Sequence, residues 1–250
     1  MLFRSAGLIT DSTHGKARIV DVTPDRIKTA LDEGAVPIIA GFQGVSQDTK
    51  DITTLGRGGS DLTAVAIAAA LKADVCEIYT DVDGIFSADP RIVPKARQVP
   101  RITYDEMMEL AAAGAKVLHL RCVEYAKRFD VPIHVRSSFS EREGTFVIAD
   151  LNDQSKIEKL SAQGAVMEQP IIAGVAHDLS DAKITVVGVP DRPGMAAAIF
   201  QAVADAGVSL DMIVQNVSAS GATETDISFT VPHIDLAKTE LALQIGRAHV

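Results

Sequence analysis

Three short runs, AVPIIAG at 35–41, DVCEIYT at 74–80 and VPIHVRS at 131–137, are rich in apolar and β-branched residues and too short for helices. Each follows or precedes a segment punctuated as a helix. Strands of this kind, buried on both faces, belong to parallel sheets. Their alternation with helices constrains the chain to an α/β architecture more firmly than any other feature. TPDRIKTALDEG at 23–34 reads as a helix with Thr23 as N-cap, Pro24 as first helical residue and Gly34 as stop. SDLTAVAIAAALKA at 60–73 reads as a second, with Ser60 as N-cap and Asp61 in the first turn, where the helix dipole favours a carboxylate. In TYDEMMELAAAG at 103–114, Thr103 and Glu106 match a capping box and Gly114 ends the helix; CVEYAKRF at 122–129 continues helically. The expected fold class is α/β, a mostly parallel sheet flanked by helices.

The pattern changes at residues 150–166, a polar stretch without a clean period that reads as a linker. It then restarts. KITVVGV (183–189) is a strand, PDRPG (190–194) a turn and MAAAIFQAVADAG (195–207) a helix ending at Gly207. VSLDMIVQNVS (208–218) and TDISFTV (225–231) read as strands paired across a turn at ASGAT, and DLAKTELAL (235–243) opens another helix. The order β-α-β-β-α is a ferredoxin-like α+β unit without its sixth element. The expected organisation is therefore 1–149 as a first domain, 150–166 as linker and 167–244 as a second, incomplete one.

Of the 250 residues, 47% are hydrophobic, enough for a sizeable core. The net charge of −9 comes from dispersed acidic residues, which argues against nucleic acid as the main partner. The two cysteines, Cys76 and Cys122, form no C-x-x-C pair and suit a reduced, cytoplasmic protein. His119 and Cys122 have a ligand-like spacing but no second pair beside them, so no metal site is assigned. No apolar run reaches the roughly 20 residues of a membrane span. The ends MLFRS and IGRAHV can be coded by reverse-complementary DNA strings, so 1–5 and 245–250 are expected to be non-native.

Two loops following strands carry chemistry, because ligands of open α/β sheets bind beyond the carboxyl ends of the strands. The first contains TTLGRGGSD at 53–61. Its spacing fits neither a P-loop nor a dinucleotide fingerprint. Gly58 and Gly59 let backbone amides approach a ligand, Ser60 and Asp61 open a helix, and Arg57 offers a charged donor to a carboxylate or phosphate. The second is TDVDGIFSADPR at 80–91, where Asp81 and Asp83 at a strand end suit a metal–nucleotide or a sugar hydroxyl; the glycine position rules out an EF-hand.

Taken in order, GRGGSD, YTDVDGIFSADPR, GAKVLHLRCVEYA, PDRPG and DMIVQNVS resemble the signature stretches of the aspartokinases, within the amino acid kinase family, over residues 6–244. The resemblance implies ATP-dependent phosphorylation of the L-aspartate side chain, the entry to lysine, threonine and methionine. By the same resemblance Arg57, Gly58, Gly59 and Ser60 bind substrate, and Asp61 and Lys116 are catalytic. Tyr79, Thr80, Asp81, Ile85, Phe86, Ser87, Ala88, Asp89, Pro90 and Lys116 contact ATP, with Mg2+ as the nucleotide's partner. The second segment resembles an ACT regulatory module, with Asp191, Arg192, Pro193, Gly194, Met195, Ala196, Gln215 and Asn216 contacting an amino-acid effector, lysine or threonine. Oligomers through ACT domains are implied, and no membrane or nucleic-acid partner. The family opens with a Lys-x-Gly-Gly loop that this sequence does not contain, so the chain is expected to be a fragment that is inactive alone, with Met167 as a possible internal start. The alternatives are a kinase of another small carboxylate, such as glutamate, and a non-catalytic amino-acid sensor.

Overall fold

The structure, a computed structural model, describes residues 2–3, 7–151, 172–217 and 223–246. Met167 and most of the linker lie outside these residues. The chain divides into two compact units, Met1–His177 and Asp178–Val250.

Two helices at the centre of the first unit explain its layering. α2 (Gly59–Leu71) has no polar face beyond its first turn, and such a helix must be buried all round. It is: Val65 and Ala68 belong to one core cluster, Leu62 and Ile67 to another. α4 (Leu120–Phe129) is amphipathic and buries Cys122, Val123 and Ala126. The larger cluster also holds Ile102, Met107 and Val147, each fully buried; burial of such a side chain contributes roughly 1.5–3 kcal/mol. It is covered by the sheet β7 (Cys76–Thr80), β9 (Ile133–Ser137), β10 (Thr145–Ile148) and β8 (Arg101–Thr103), paired in that order. The smaller cluster lies against β3 (Ile19–Val22), β2 (Leu8–Thr10), β5 (Gln43–Ser46) and β6 (Ile52–Thr54), again in that order. A third sheet pairs β1 (Leu2–Phe3) with β4 (Ile38–Ile39).

The α/β class is as expected, but the pairings are mixed. β7–β9, β8–β10, β2–β5 and β1–β4 are parallel, whereas β9–β10, β2–β3 and β5–β6 are antiparallel. Two strands expected to be buried on both faces are not. Ile38 is 62% and Val36 78% exposed, because β4 pairs with β1 alone among the described residues and it is Ile39, on the other face, that packs against the smaller cluster. β7 alternates: Cys76 and Ile78 point into the core while Glu77 and Tyr79 face outward, as an edge strand allows.

Caps also moved. α1 spans Asp25–Asp32 with Pro24, not Thr23, at the N-cap. Thr23 is engaged elsewhere, its amide and its hydroxyl both donating to Gly7 O. α2 is capped by Gly58 in the left-handed region, so Ser60 lies inside the first turn. The capping box of α3 (Tyr104–Ala112) is present as read: Glu106 N donates to Thr103 Oγ1 and Thr103 N to Glu106 Oε2.

The second unit runs β11 (Asp181–Pro190), α5 (Met195–Asp205), β12 (Ile213–Val217), β13 (Glu224–Pro232), a 3-10 turn at His233–Asp235 and α6 (Leu236–Gly246). The sheet is antiparallel in the order β11-β13-β12. That is the ferredoxin-like order for these elements. Its core joins Val189, Val203, Ile227, Phe229 and Val231. Residues 208–212, read as part of a strand, precede β12, which begins only at Ile213. Residues 172–177, read as part of the second domain, lie with the first unit, where Val175 N donates to Ser87 O.

Candidate functional site

The glycine loop is packed from three directions. Gly56 and Gly58 have φ of 80° and 72°. A Cβ on Gly58 would meet His119 Cβ at 2.3 Å and Cγ at 2.4 Å; one on Gly59 would meet Leu55 Cβ and Phe42 Cδ2, both at 2.9 Å. These positions need glycine for close approach as well as for the dihedral angle. Gly59 N donates to Gly56 O and Leu62 N to Gly58 O, closing the turn into α2. Thr63 Oγ1 donates to Gly59 O and accepts from Phe42 N, tying the start of the helix to the segment after β4.

Phe42 is a site feature that the sequence reading passed over. It is a non-glycine residue at φ 74°, 42% exposed, with its ring beside Gly59. Strained backbone of this kind collects at binding sites. The only sequence signal is an apolar residue between two nearby glycines, in AGFQG.

Asp61 sits in the first turn of α2, half-buried. Burial raises its pKa above the usual carboxylate range, while nearby His119 opposes the rise. The same burial, together with Asp61 itself, pushes Cys76 up to about 11 and Cys122 higher still, so neither thiol is a nucleophile at neutral pH. Lys116 is exposed in the segment between α3 and α4, three residues before His119. Because His119 stacks on Gly58, that segment is held against the glycine loop. His119 Nδ1 is buried without a hydrogen-bond partner in the described residues.

The second loop hangs from β10. Buried Thr145 accepts from Ile85 N at 2.8 Å and donates to Val99 O at 2.6 Å. Asp83 is taken up structurally by Ser140 Oγ and Arg142. Asp81 is exposed and accepts from Thr80 Oγ1. Tyr79 is 55% exposed, its hydroxyl on Glu77 and its ring under Arg136. Of the run 85–90, Ile85 is 2% exposed and can offer a ligand only its backbone; Phe86, Ser87 and Ala88 are half-buried and Pro90 is exposed. Asp89 is gripped by the Arg91 guanidinium, which holds its carboxyl at about 2. Arg91 thus stands beside the loop as a cation that the sequence reading did not assign.

In the second unit, Asp191, Arg192, Pro193, Gly194, Met195 and Ala196 form one wall of a cavity of about 320 Å³. Gln215, Thr225 and Ile227 form the facing wall. Gln215 Nε2 donates to Thr225 Oγ1 at 3.2 Å, which orients the amide. Asn216 does not line this cavity: strand alternation turns it to the opposite face, opposite Asp226 in the ladder. Thr225 takes part instead, a residue that looked like one more β-strand position.

An α/β unit that presents a glycine loop at a helix N-terminus is followed by a ferredoxin-like unit, and both units match known families. The amino acid kinase family matches residues 2–137, more than half of the chain, and the ACT domain matches residues 184–244. The chain belongs to the amino acid kinase family. It is 63% identical over 225 residues to the aspartokinase of Mycobacterium tuberculosis, covering 90% of this chain and 51% of that protein. To the aspartokinase of Corynebacterium glutamicum it is 54% identical, covering 92% and 52%. The chain thus spans about half the length of the curated relatives it matches. The structure of E. coli aspartokinase III in complex with aspartate and ADP superposes with a TM-score of 0.66 at 29% identity, covering 93% of this chain and 48% of that one. The complex of the same enzyme with lysine and aspartate gives 0.68.

Proposed function

We propose that this chain carries the glycine-loop, nucleotide-contacting and regulatory parts of an aspartate kinase, which transfers the γ-phosphoryl group of ATP to the side-chain carboxylate of L-aspartate. The observation that carries the reading is the Arg57–Asp61 loop, wedged by His119 and Phe42 so that a half-buried carboxylate and a helix N-terminus face one place. The E. coli relative holds aspartate and ADP.

Phosphoryl transfer asks the protein for positioning and for compensation of charge. Arg57 and the amides at the start of α2 hold the anionic amino acid, since a helix N-terminus and a guanidinium both favour a carboxylate. Asp61 orients the cationic groups of the site. Lys116, carried to the loop by His119, meets the phosphates. Tyr79, Thr80, Asp81 and the backbone of 85–90 contact the nucleotide. Magnesium binds through one or two carboxylates and the substrate phosphates. Exposed Asp81 at the end of β7 fits that part; the ion would neutralise charge on the transferring group. The cavity at 190–196 takes an amino-acid effector: its turn amides receive a carboxylate, and Asp191 the ammonium group. Lysine is the first candidate, because the E. coli relative holds it, and threonine the second. The reaction opens the lysine, threonine and methionine routes in the cytoplasm, in an oligomer formed through ACT domains.

The test is a chimera of this chain completed with the portions of the M. tuberculosis relative that it does not cover. ADP release should depend on L-aspartate and fall about 100-fold or more with Asp61→Ala. Equal release with L-glutamate, or an Asp61→Ala variant of near-normal rate, would reject the assignment.

A further inference from the structure

The first unit also has a concavity of about 700 Å³ beside the glycine loop; apart from Arg57 and His119, the aspartate kinase reading gives its charged lining residues no part. Its walls are the β2–β3 hairpin, the glycine loop and α4. Lys16 and Arg18 come from the hairpin, Arg57 from the loop, and Arg121 and Arg128 from the helix; one carboxylate, Glu124, stands among them. Carboxylates outnumber cations 33 to 24 along the whole chain, so a concavity with five cations to one acid runs against the composition.

Arg121 makes the concavity a built one. Its Nη1 donates to Leu55 O and its Nη2 to Ala17 O, both at 2.8 Å, so one guanidinium pins all three walls together. Both acceptors are neutral, and Arg121 forms no ion pair among the described residues. Lys16, Arg57 and Arg128 form no ion pair among the described residues, and Arg18 is near only one carboxylate that it is shown to act on, Asp11 on the hairpin. Like charges gathered in a cleft focus a positive field into it and repel one another until an anion enters. Ile19, Leu55 and Leu62 give it an apolar floor.

We propose that this concavity binds a small polyanion bearing two or more phosphate groups. Cations on facing walls call for more than a single negative charge, and arginine forks match phosphate oxygens in pairs. The volume lies in the range of small-ligand sites rather than of a surface that docks a chain. Neither Lys116 nor any residue of 79–90 lines it, so it is separate from the nucleotide side of the proposed active site. It shares Arg57 with the glycine loop, and an occupant would draw that guanidinium away from aspartate.

Calorimetry of this chain with sodium tripolyphosphate, with neither ATP nor aspartate present, tests the site independently of the kinase reading. Saturable binding that depends on the hairpin and α4 cations is expected, weakening as salt rises. Arg18→Gln combined with Arg128→Gln should weaken it at least tenfold, Arg128→Lys should retain most of the affinity, and Lys116→Ala should leave it unchanged. Lys16→Gln reads the same loss if the double variant does not fold. Absence of binding, binding indifferent to the hairpin and helix substitutions, binding abolished by Lys116→Ala, or tighter binding of a polyglutamate peptide would each overturn the proposal.

Discussion

Adding one methyl group at Gly58 tests whether the glycine loop is fixed by its contact with the α3–α4 segment. Gly58 has φ 72°, and its missing Cβ would fall 2.3–2.8 Å from His119 Cβ, Cγ and Cδ2. The left-handed backbone alone costs an alanine about 1–2 kcal/mol. Forcing apart a packed contact adds about 1–3 kcal/mol. Gly58→Ala should therefore destabilise the fold by about 2–5 kcal/mol. The two contributions separate in a double-mutant cycle with His119→Gly, which removes all three opposing atoms. Glycine is tolerated at the N-cap of α4, the position His119 holds, at a few tenths of a kcal/mol. In that background only the backbone penalty of about 1–2 kcal/mol should remain, so the substitutions should couple by about 1–3 kcal/mol. Urea unfolding followed by circular dichroism, at constant m-value, measures each corner. Equal costs in both backgrounds would refute the view that His119 is what holds the loop closed.

Asp61→Asn should make the fold more stable at neutral pH while removing turnover in the completed enzyme. The folded-state pKa of Asp61 is raised by burial, so the folded state binds the proton more tightly, and stability is lost as pH rises through the folded pKa. The advantage of asparagine should shrink as pH falls through the carboxylate range; thermal melts at a series of pH values check it, and a gap that widens on acidification would contradict the burial argument. Arg121→Met should cost about 3 kcal/mol by stripping two charge-assisted bonds from the Leu55 and Ala17 carbonyls, read by the same urea assay. Thr145→Val should cost about 2 kcal/mol and loosen the 81–90 loop, seen as faster amide exchange at Ile85, whose N–H loses its acceptor. In the completed enzyme Gln215→Ala should shift the lysine inhibition curve to higher concentration without changing the uninhibited rate; an unmoved curve would place the effector elsewhere.

The parts of this fold that were legible are those whose signals are local. The Thr103–Glu106 capping box, the stop at Gly114 and the βαββα order of the second unit each depend on residues within one element or its neighbour. Strand burial was misjudged where it depends on what lies across the sheet. VPIHV and DVCEIY carry similar apolar runs, yet β9 is enclosed between β7 and β10 while β7 is an edge that turns Glu77 and Tyr79 outward. The Ser60 cap failed for a different reason. Serine is the better cap by preference, but Gly58 can enter the left-handed region and start the helix earlier, which the sequence of three glycines permits without announcing.

The candidate sites divide along the same line. The loops proposed to bind ligands, Arg57 to Asp61 and Asp191 to Ala196, are marked in the sequence by glycine spacing and helix starts. The residues that hold those loops in place come from far along the chain: Phe42 and His119 around Gly58 and Gly59, Thr145 beneath Ile85, Thr225 beside Gln215. Phe42, Thr145 and Thr225 have no motif of their own, and His119 lies in a signature stretch that does not announce its contact with Gly58. Arg121 is the extreme case, since its partners are backbone carbonyls 66 and 104 positions away, and a carbonyl is present at every residue. Nothing in a side-chain pattern can select which carbonyl it finds. What selects them is the packing of α4 against α2, which brings the helix surface to the hairpin and the glycine loop together. The same packing gathers the cations of an acidic chain into one concavity, so that clamp and anion site arise from a single helix placement.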